Sequence, residues 1–335
     1  MQGKVLITGG AGYIGSHAVR LFLQKGYQVA VFDNLSRGFA QAIEQLRSLG
    51  PIEFIQGDLR DRQAIDAALE RVQPESVLHF AALCSVDEST KKPELYFQNN
   101  VAGTANLLSA MHQYQVNKII FSSTCAIYGA TDELPLKEDT PAEPVNAYGL
   151  SKLLVEKMLQ MEAAWTDLRY VVFRYFNVCG AASDGTIGDS KHPSVHLMQN
   201  AVRGAMGLEP FYFTFQNMPT PDGSPIRDYI DVEDLVRAHY MADEYLKNGG
   251  KSDTFNLGNG TGYSVREIVG AVEKAFGIEF EKKEAGDKRQ GENPAAYTDP
   301  GHVREVLGWR PEKTLQDSIA SLRQWYQSRP GGWEK

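Results

Sequence analysis

Residues 4–15 read KVLITGGAGYIG, an apolar, β-branched run that stops at Gly9, Gly12 and Gly15 and then turns helical. Glycines in that position let the backbone N–H groups of a helix start approach a pyrophosphate. A tight strand-to-helix turn would account for them equally well, so the stretch needs a second signal. It comes at Asp33, which ends the next apolar run, QVAVFD (28–33). A carboxylate there suits the paired ribose hydroxyls of NAD and would repel the 2′-phosphate of NADP, whereas a mere turn aspartate carries no such meaning. Glycines and acid in this order predict a dinucleotide-binding α/β unit.

Working outward, IEFIQGD (52–58), SVLHFAA (76–82), NKIIFSS (117–123) and RYVVFRYFN (169–177) are further short apolar runs of the kind buried parallel strands show. Helical patterns fall between the runs, at 14–24, 62–71, 93–114 and 147–162. The alternation predicts right-handed βαβ crossovers and a doubly wound parallel (Rossmann) sheet over residues 1–177. Beyond Asn177 the regularity fails. GAASDGTIGDSKHP (180–193) and NMPTPDGSP (217–225) interrupt short elements at 232–247, 255–257, 265–276 and 315–326. Residues 178–335 therefore read as a smaller, loop-rich α/β substrate domain, partly interleaved with the first, where functional loops are expected.

With 335 residues, 42% of them hydrophobic and 23% charged, the chain can bury a full core and is neither disordered nor fibrous. A net charge of −8 and the lack of a basic stripe argue against nucleic acid and against an anionic membrane as partners. An anionic substrate would then need cations placed locally. Cys84, Cys125 and Cys179 form no CxxC and no metal-ligand spacing, and their scatter suggests reduced thiols in a cytoplasmic protein that holds no metal. The apolar run of MQGKVLITGG is too short for a secretion signal, and no run reaches the length of a membrane span.

NAYGLSK (146–152) puts Tyr148 four residues before Lys152 on an expected helix. Such pairs are ordinary on exposed helix faces. Upstream, FSSTCAIYG (121–129) sets Ser122, Ser123 and Thr124 at the carboxyl end of the fifth strand. Ligands of open α/β sheets bind there, although turns favour hydroxyls in any protein. Beside a dinucleotide fingerprint the combination reads as chemistry. An ammonium near a phenol favours the phenolate and lowers a pKa that is ordinarily about 10, which makes Tyr148 a base. Asp58, in GDL (57–59), is either an acceptor for the adenine amino group or a plain strand-end aspartate.

TGGAGYIG (8–15), GDL, FAA (80–82), NN (99–100), Thr124 with Tyr148 and Lys152, RYFN (174–177), RDYIDVEDL (227–235) and LGWRP (307–311) together resemble the extended short-chain dehydrogenase/reductase family. Within it they resemble the branch of UDP-sugar 4-epimerases, from Lys4 to about Trp325. The resemblance implies an isomerase of a UDP-sugar of the glucose/galactose type, working through a 4-keto sugar, with NAD as a bound prosthetic group. Tyr148 would take the 4-OH proton, Thr124 would hydrogen-bond that oxygen, and Lys152 would bind the nicotinamide ribose and tune Tyr148. The cofactor would lie among Gly9, Gly12, Tyr13, Ile14, Gly15, Asp33 and Asn34. Asp58, Leu59, Phe80, Ala81, Ala82, Asn99, Ser122 and Tyr175 would complete its site. The UDP-sugar would meet Thr124, Asn177, His196, Leu197, Arg227, Arg289 and Ala296. A turn residue for Asn177, a surface histidine for His196 and surface ion pairs for the arginines are the plain alternatives. The resemblance also implies a homodimer through the helices at 93–114 and 147–162.

The chain departs from the family in several places. Many members carry a lysine after FAGL, whereas here FAAL is followed by Cys84, which removes that cofactor contact. Thr124 stands where serine is usual, with equivalent hydrogen bonding. PFYFTFQN (210–217) lacks the glycine usual beside the nucleotide base, so uracil rests on the resemblance alone. The dehydratase and decarboxylase relatives place an acid after the catalytic hydroxyl residue, where this chain has Cys125 and Ala126. The alternatives are a xylose/arabinose or uronic-acid epimerase, a 4,6-dehydratase, and, from another class, a non-catalytic NAD-sensing protein of the same fold. The intact Tyr148 and Lys152 speak against the last. Ala296, in KRQGENPAAYTD (288–299), is either a small loop residue or a small wall of the sugar pocket that leaves room for an N-acetyl group.

Overall fold

The structure, a computed structural model, describes residues 2–191, 194–286 and 293–333. Its central sheet holds seven strands: β1 (Gln2–Thr8), β2 (Tyr27–Asp33), β3 (Ile52–Gln56), β4 (Ser76–His79), β5 (Lys118–Thr124), β6 (Arg169–Tyr175) and β10 (Asp253–Leu257). They run parallel in the order β10-β6-β5-β4-β1-β2-β3. Parallel strands are covered on both faces, which is why all four residues of β4 and six of the seven in β6 are buried. The order reverses between β1 and β4, and that reversal opens a crevice at the carboxyl edge of the sheet.

One face of the sheet carries α1 (Tyr13–Gln24), α2 (Ala40–Leu46) and α9 (Val232–Lys247), packed through Phe22, Ile43, Leu235 and Leu246. The other carries α3 (Arg62–Val72), α6 (Gly103–Gln113) and α7 (Ala147–Trp165), packed through Leu69, Leu107, Met111 and Leu159. Ahead of α6 come α4 (Val86–Lys91), α5 (Pro93–Tyr96) and a π-helical segment, Phe97–Ala102. The single helix expected over 93–114 is therefore three segments in series.

The later residues build a four-stranded sheet of β7 (Asn177–Cys179), β9 (Ile226–Asp231), β11 (Gly262–Ser264) and β13 (Ala295–Ala296). A separate pair joins β8 (Phe211–Phe213) to β12 (Lys282–Glu284). Around them lie α8 (Leu197–Ala205), α10 (Val265–Phe276), α11 (Gly301–Leu307) and α12 (Leu315–Ser328). Met198, Val202, Ile268, Leu322 and Trp325 belong to their own core.

One feature differs from the sequence reading. RYVVFRYFN is two strands, because β6 is already flanked by β5 and β10; at Phe176 the chain leaves the central sheet and β7 pairs with β9. The later half of the chain returns to the first: β10 closes the edge of the central sheet and α9 covers its face. Among the described residues no helix is long and apolar enough to cross a membrane.

Candidate active site

A cavity of about 1440 Å³ lies at the carboxyl edge of the central sheet, lined from both halves of the chain. Sites for one small ligand occupy about 300–1,000 Å³, so this one has room for a dinucleotide and a second large ligand. Its floor is the glycine turn. Gly9 has φ +72°, and a Cβ on Gly15 would lie 2.1 Å from the Gly9 carbonyl oxygen, so neither position tolerates a side chain. Gly12 is the N-cap of α1 and has no side chain to cap with, which leaves the first N–H groups of the helix to an anion. Asp33, at the end of β2, accepts from Ala11 N (3.0 Å) and Leu35 N (2.8 Å), so the carboxylate ties the glycine loop to the strand beside it. The residues present thus fit the pyrophosphate and ribose of a dinucleotide.

Tyr13, Ile14, Asn34, Leu59, Phe80, Ala81, Ala82, Asn99, Ser122 and Tyr175 all line the cavity. Asp58 is not among the lining residues. Arg60 takes its carboxylate in a two-point pair (2.8 and 2.9 Å) and holds it well below the usual carboxylate range, while Asn34 Nδ2 donates to it at 2.9 Å. Asn99 and Asn100 sit in the π-helical segment and part ways. Asn100 is buried and exchanges hydrogen bonds with Leu83 N and O (2.9 Å each), while Asn99 faces the cavity and donates to Asn100 Oδ1.

Asn146 caps α7 by accepting from Gly149 N (2.8 Å), which fixes the helix start and puts Tyr148 in its first turn. Lys152, one turn on, is 3% exposed; its Nζ donates to Ser122 O (2.6 Å) and lies 4.7 Å from the centre of the Phe121 ring. Burial pulls its pKa down to about 8. The Tyr148 phenol, which hydrogen-bonds Thr124, is pushed upward by burial, with Cys84 adding to the rise and the Thr124 bond opposing it. The sequence argument expected the lysine to lower this phenol. In the protein alone desolvation dominates, and the ammonium is committed to the β5 carbonyl.

On the other wall stand Asn177, His196, Arg227 and Ala296. The register of β13 against β9 sets Ala296 directly beside Arg227. Burial lowers the His196 imidazole to about 4, against the nearby Asp189 carboxylate, 4.0 Å from Nε2; its ring centre is 5.7 Å from that of Tyr13. Leu197, the next residue, is not a lining residue and packs against the third core. Arg289 lies outside the described residues. Sequence reasoning did not single out Arg37, Asp189, Lys191, Arg203 or the tail residues Pro330, Gly331 and Trp333, all of which line the cavity. No motif marks them, since the tertiary path alone brings them there.

Residues 5–258 match the NAD dependent epimerase/dehydratase family. The chain is 42% identical to the UDP-glucose 4-epimerase of Rhizobium leguminosarum bv. trifolii over 323 residues, 96% of this chain and 97% of that one. It is 40% identical to the UDP-glucose 4-epimerase of Lactobacillus helveticus over 337 residues, 99% of each. The crystal structure of UDP-glucose 4-epimerase from Bifidobacterium longum in complex with NAD+ and UDP is similar at a TM-score of 0.93 and 36% identity, covering 98% of this chain and 100% of that chain.

Proposed function

The chain belongs to the NAD dependent epimerase/dehydratase family and is an NAD-dependent isomerase that inverts a UDP-sugar at C4; for that reaction we propose that Tyr148 is the base, Thr124 its partner on the sugar oxygen and Lys152 the cation beneath them. One observation carries the assignment: a single cavity holds Thr124, Tyr148 and Lys152 together with the glycine turn and Asp33. NAD, when bound, supplies the acceptor and later the donor of the C4 hydride, and its oxidised ring brings positive charge. Tyr148 removes the 4-OH proton as the C–H bond breaks, and returns it to the same oxygen when that bond re-forms on the opposite face. Thr124 holds the oxygen through both passages. Lys152, with a pKa near 8, is largely protonated at neutral pH and keeps the potential at this wall positive. Positioning plus one proton-transferring group supplies the rate.

Asn177, His196, Arg227 and Arg289 are the residues we assign to the sugar and its diphosphate, with residues 1–177 serving mainly the cofactor and 178–335 mainly the nucleotide-sugar. Cys125 and Ala126 offer no carboxylate beside Thr124, and burial pushes the Cys125 thiol up to about 12, so the product should be isomeric with the substrate. Ala296, small and at the cavity wall, favours acceptance of UDP-N-acetylglucosamine alongside UDP-glucose. We place the protein in the cytoplasm as a homodimer. Leu150, Leu154, Met161 and Trp165 form an exposed apolar stripe on α7, with Trp165 83% exposed, and the stripe adjoins a shallow groove against α6.

The test is Tyr148→Phe, assayed on a panel of UDP-sugars with separation of the epimers. Turnover should fall by roughly two to four powers of ten while the bound NAD stays. Turnover near that of the wild type would remove Tyr148 from the mechanism.

A further inference from the structure

The cavity serves two ligands that each carry a diphosphate, in a chain whose net charge is −8, so the placement of its cations decides where anions sit. Arg37 is tied to Glu88 at 2.8 and 2.9 Å, Arg203 to Glu209 at 2.7 Å, and Lys152 to the Ser122 carbonyl. Lys191 differs. Its Nζ lies 3.1 Å from Cys84 Sγ, 107 residues away in sequence, and both residues line the cavity.

The location of that sulfur matters. Cys84 is on the loop leaving β4, and β4 pairs directly with β1. The same loop presses on the glycine turn, since a Cβ on Gly9 would lie 2.6 Å from Ala81 N. Lys191 itself comes from the segment that carries Asp189 and His196, and the His196 ring packs on Tyr13, the first residue of α1. Both partners of this contact thus lie on segments that meet the glycine turn or the start of α1, one of them from the other half of the chain. We propose that Lys191 binds the pyrophosphate of NAD from the side opposite the α1 N-terminus, with Cys84 as the seat that positions its ammonium. The cofactor is then clasped between the glycine turn and a residue of the sugar-binding half, and its retention depends on both. This rests on NAD occupying the cavity, which the NAD content of the wild-type protein checks separately.

Wild-type protein loaded with radiolabelled NAD and chased with excess unlabelled NAD gives a release rate. Lys191→Met should release NAD about tenfold faster or more, the loss of one charge-assisted contact. Its affinity for UDP, read by calorimetry, should stay within about twofold. Cys84→Lys added to Lys191→Met returns an ammonium to the same place from the other side and should slow release again, which a merely structural role for Lys191 would not give. Unchanged release in Lys191→Met would overturn the proposal. Weakened UDP binding with normal NAD release would overturn it too, by assigning Lys191 to the substrate's diphosphate. A double variant that releases NAD as fast as Lys191→Met would show that the ammonium is not the operative group.

Discussion

Three glycines can be separated by one experiment, because an added methyl meets something different at each. On Gly15 a Cβ would lie 2.1 Å from Gly9 O and 2.8 Å from both Gly10 Cα and Gly9 C, all backbone atoms that cannot swing aside. Relieving the contact means moving α1 from the end of β1 by about an ångström, and overpacking of that kind costs about 3 kcal/mol. On Gly12 the nearest atom is Gly9 O at 3.2 Å, and φ −83°, ψ 176° is extended backbone open to any residue, so alanine fits with a shift of a few tenths of an ångström. Gly270 is exposed in the middle of α10 with nothing within 4 Å, so alanine should stabilise it by about 0.5–1 kcal/mol.

For a chain of this length the unfolding entropy is about 0.7 kcal/mol/K, so 1 kcal/mol moves Tm by about 1.4 °C. NAD-stripped Gly15→Ala should therefore melt about 4 °C low, Gly12→Ala within about 1 °C of wild type, and Gly270→Ala about 1 °C high. Cofactor content should sort them differently. Gly12→Ala and Gly15→Ala should both emerge with little NAD, since a methyl at the N-cap keeps the pyrophosphate from the helix start, while Gly270→Ala keeps its full complement. Scanning calorimetry on stripped protein and absorbance of NAD released on denaturation give the two readings. A Gly12→Ala protein that retains NAD would refute the cradle, and a thermally neutral Gly15→Ala would refute the packing argument.

Ala296→Tyr should suppress epimerisation of UDP-N-acetylglucosamine while sparing UDP-glucose, because the ring fills volume beside Arg227; equal loss of both, or of neither, would take Ala296 off the sugar wall. Asp231 is a carboxyl that burial raises to about 7, so the fold binds a proton that the unfolded chain releases. The stability this contributes is complete below about pH 4 and is lost as pH rises through about 7. Urea midpoints should accordingly decline less from pH 4.5 to 8 in Asp231→Asn than in wild type, and parallel curves would refute the titration. Trp165→Glu on the apolar stripe of α7 should convert a dimer to a monomer by light scattering; a wild-type mass of one chain would refute the interface.

Much of the first half was legible because parallel strands, covered on both faces, appear as unbroken apolar runs. The expected element at 232–247 matches α9 (Val232–Lys247) to the residue, since its apolar positions repeat with helical spacing. Where reading failed, the cause was a partner distant in sequence. RYVVFRYFN gives no sign that β9 waits for its last residue, Asn177, and the two that follow. A change to i→i+5 bonding over Phe97–Ala102 has no periodicity of its own to read. Local contacts at the site are no easier to read. Asp58, expected to accept from adenine, also pairs with Arg60, two residues away in sequence. Leu197 follows His196 in sequence, yet at a helix start adjacent residues diverge, one toward the cavity and one into the core. Charge proximity at Tyr148 can be read from spacing, whereas the burial that raises its phenol cannot.

Hydride and proton transfer demand that Tyr148, the proposed base, be fixed on its helix to a narrow tolerance. Positioning catalysis loses most of its advantage when a group strays by about an ångström. α7 is held through three of its residues. Ser151 donates to Tyr148 O (2.7 Å) and accepts from Asn100 Nδ2 (3.0 Å), which joins the first turn to the π-helical segment. Lys152, the next residue, donates to Ser122 O. Glu156 then accepts from Ser123 Oγ (2.5 Å) and pairs with Arg174 on β6 at 2.7 Å. Arg174 spends its remaining donors on Tyr128 OH (2.9 Å) and Glu138 O (2.8 Å), and Tyr128 donates to Asn256 on β10 (2.6 Å). A buried ion pair is weak evidence for stability, because the desolvation of two charges offsets most of their attraction. Its contribution here is geometric: Glu156 and Arg174 are satisfied only when α7, β5, β6 and β10 are in register. β10 belongs to the later half of the chain, so Tyr148, the proposed base, is set by the same closure that brings Asn177, Arg227 and Ala296 to the cavity. The wall that carries Tyr148 and the wall that faces it are thereby one assembly, and neither can be complete before the other.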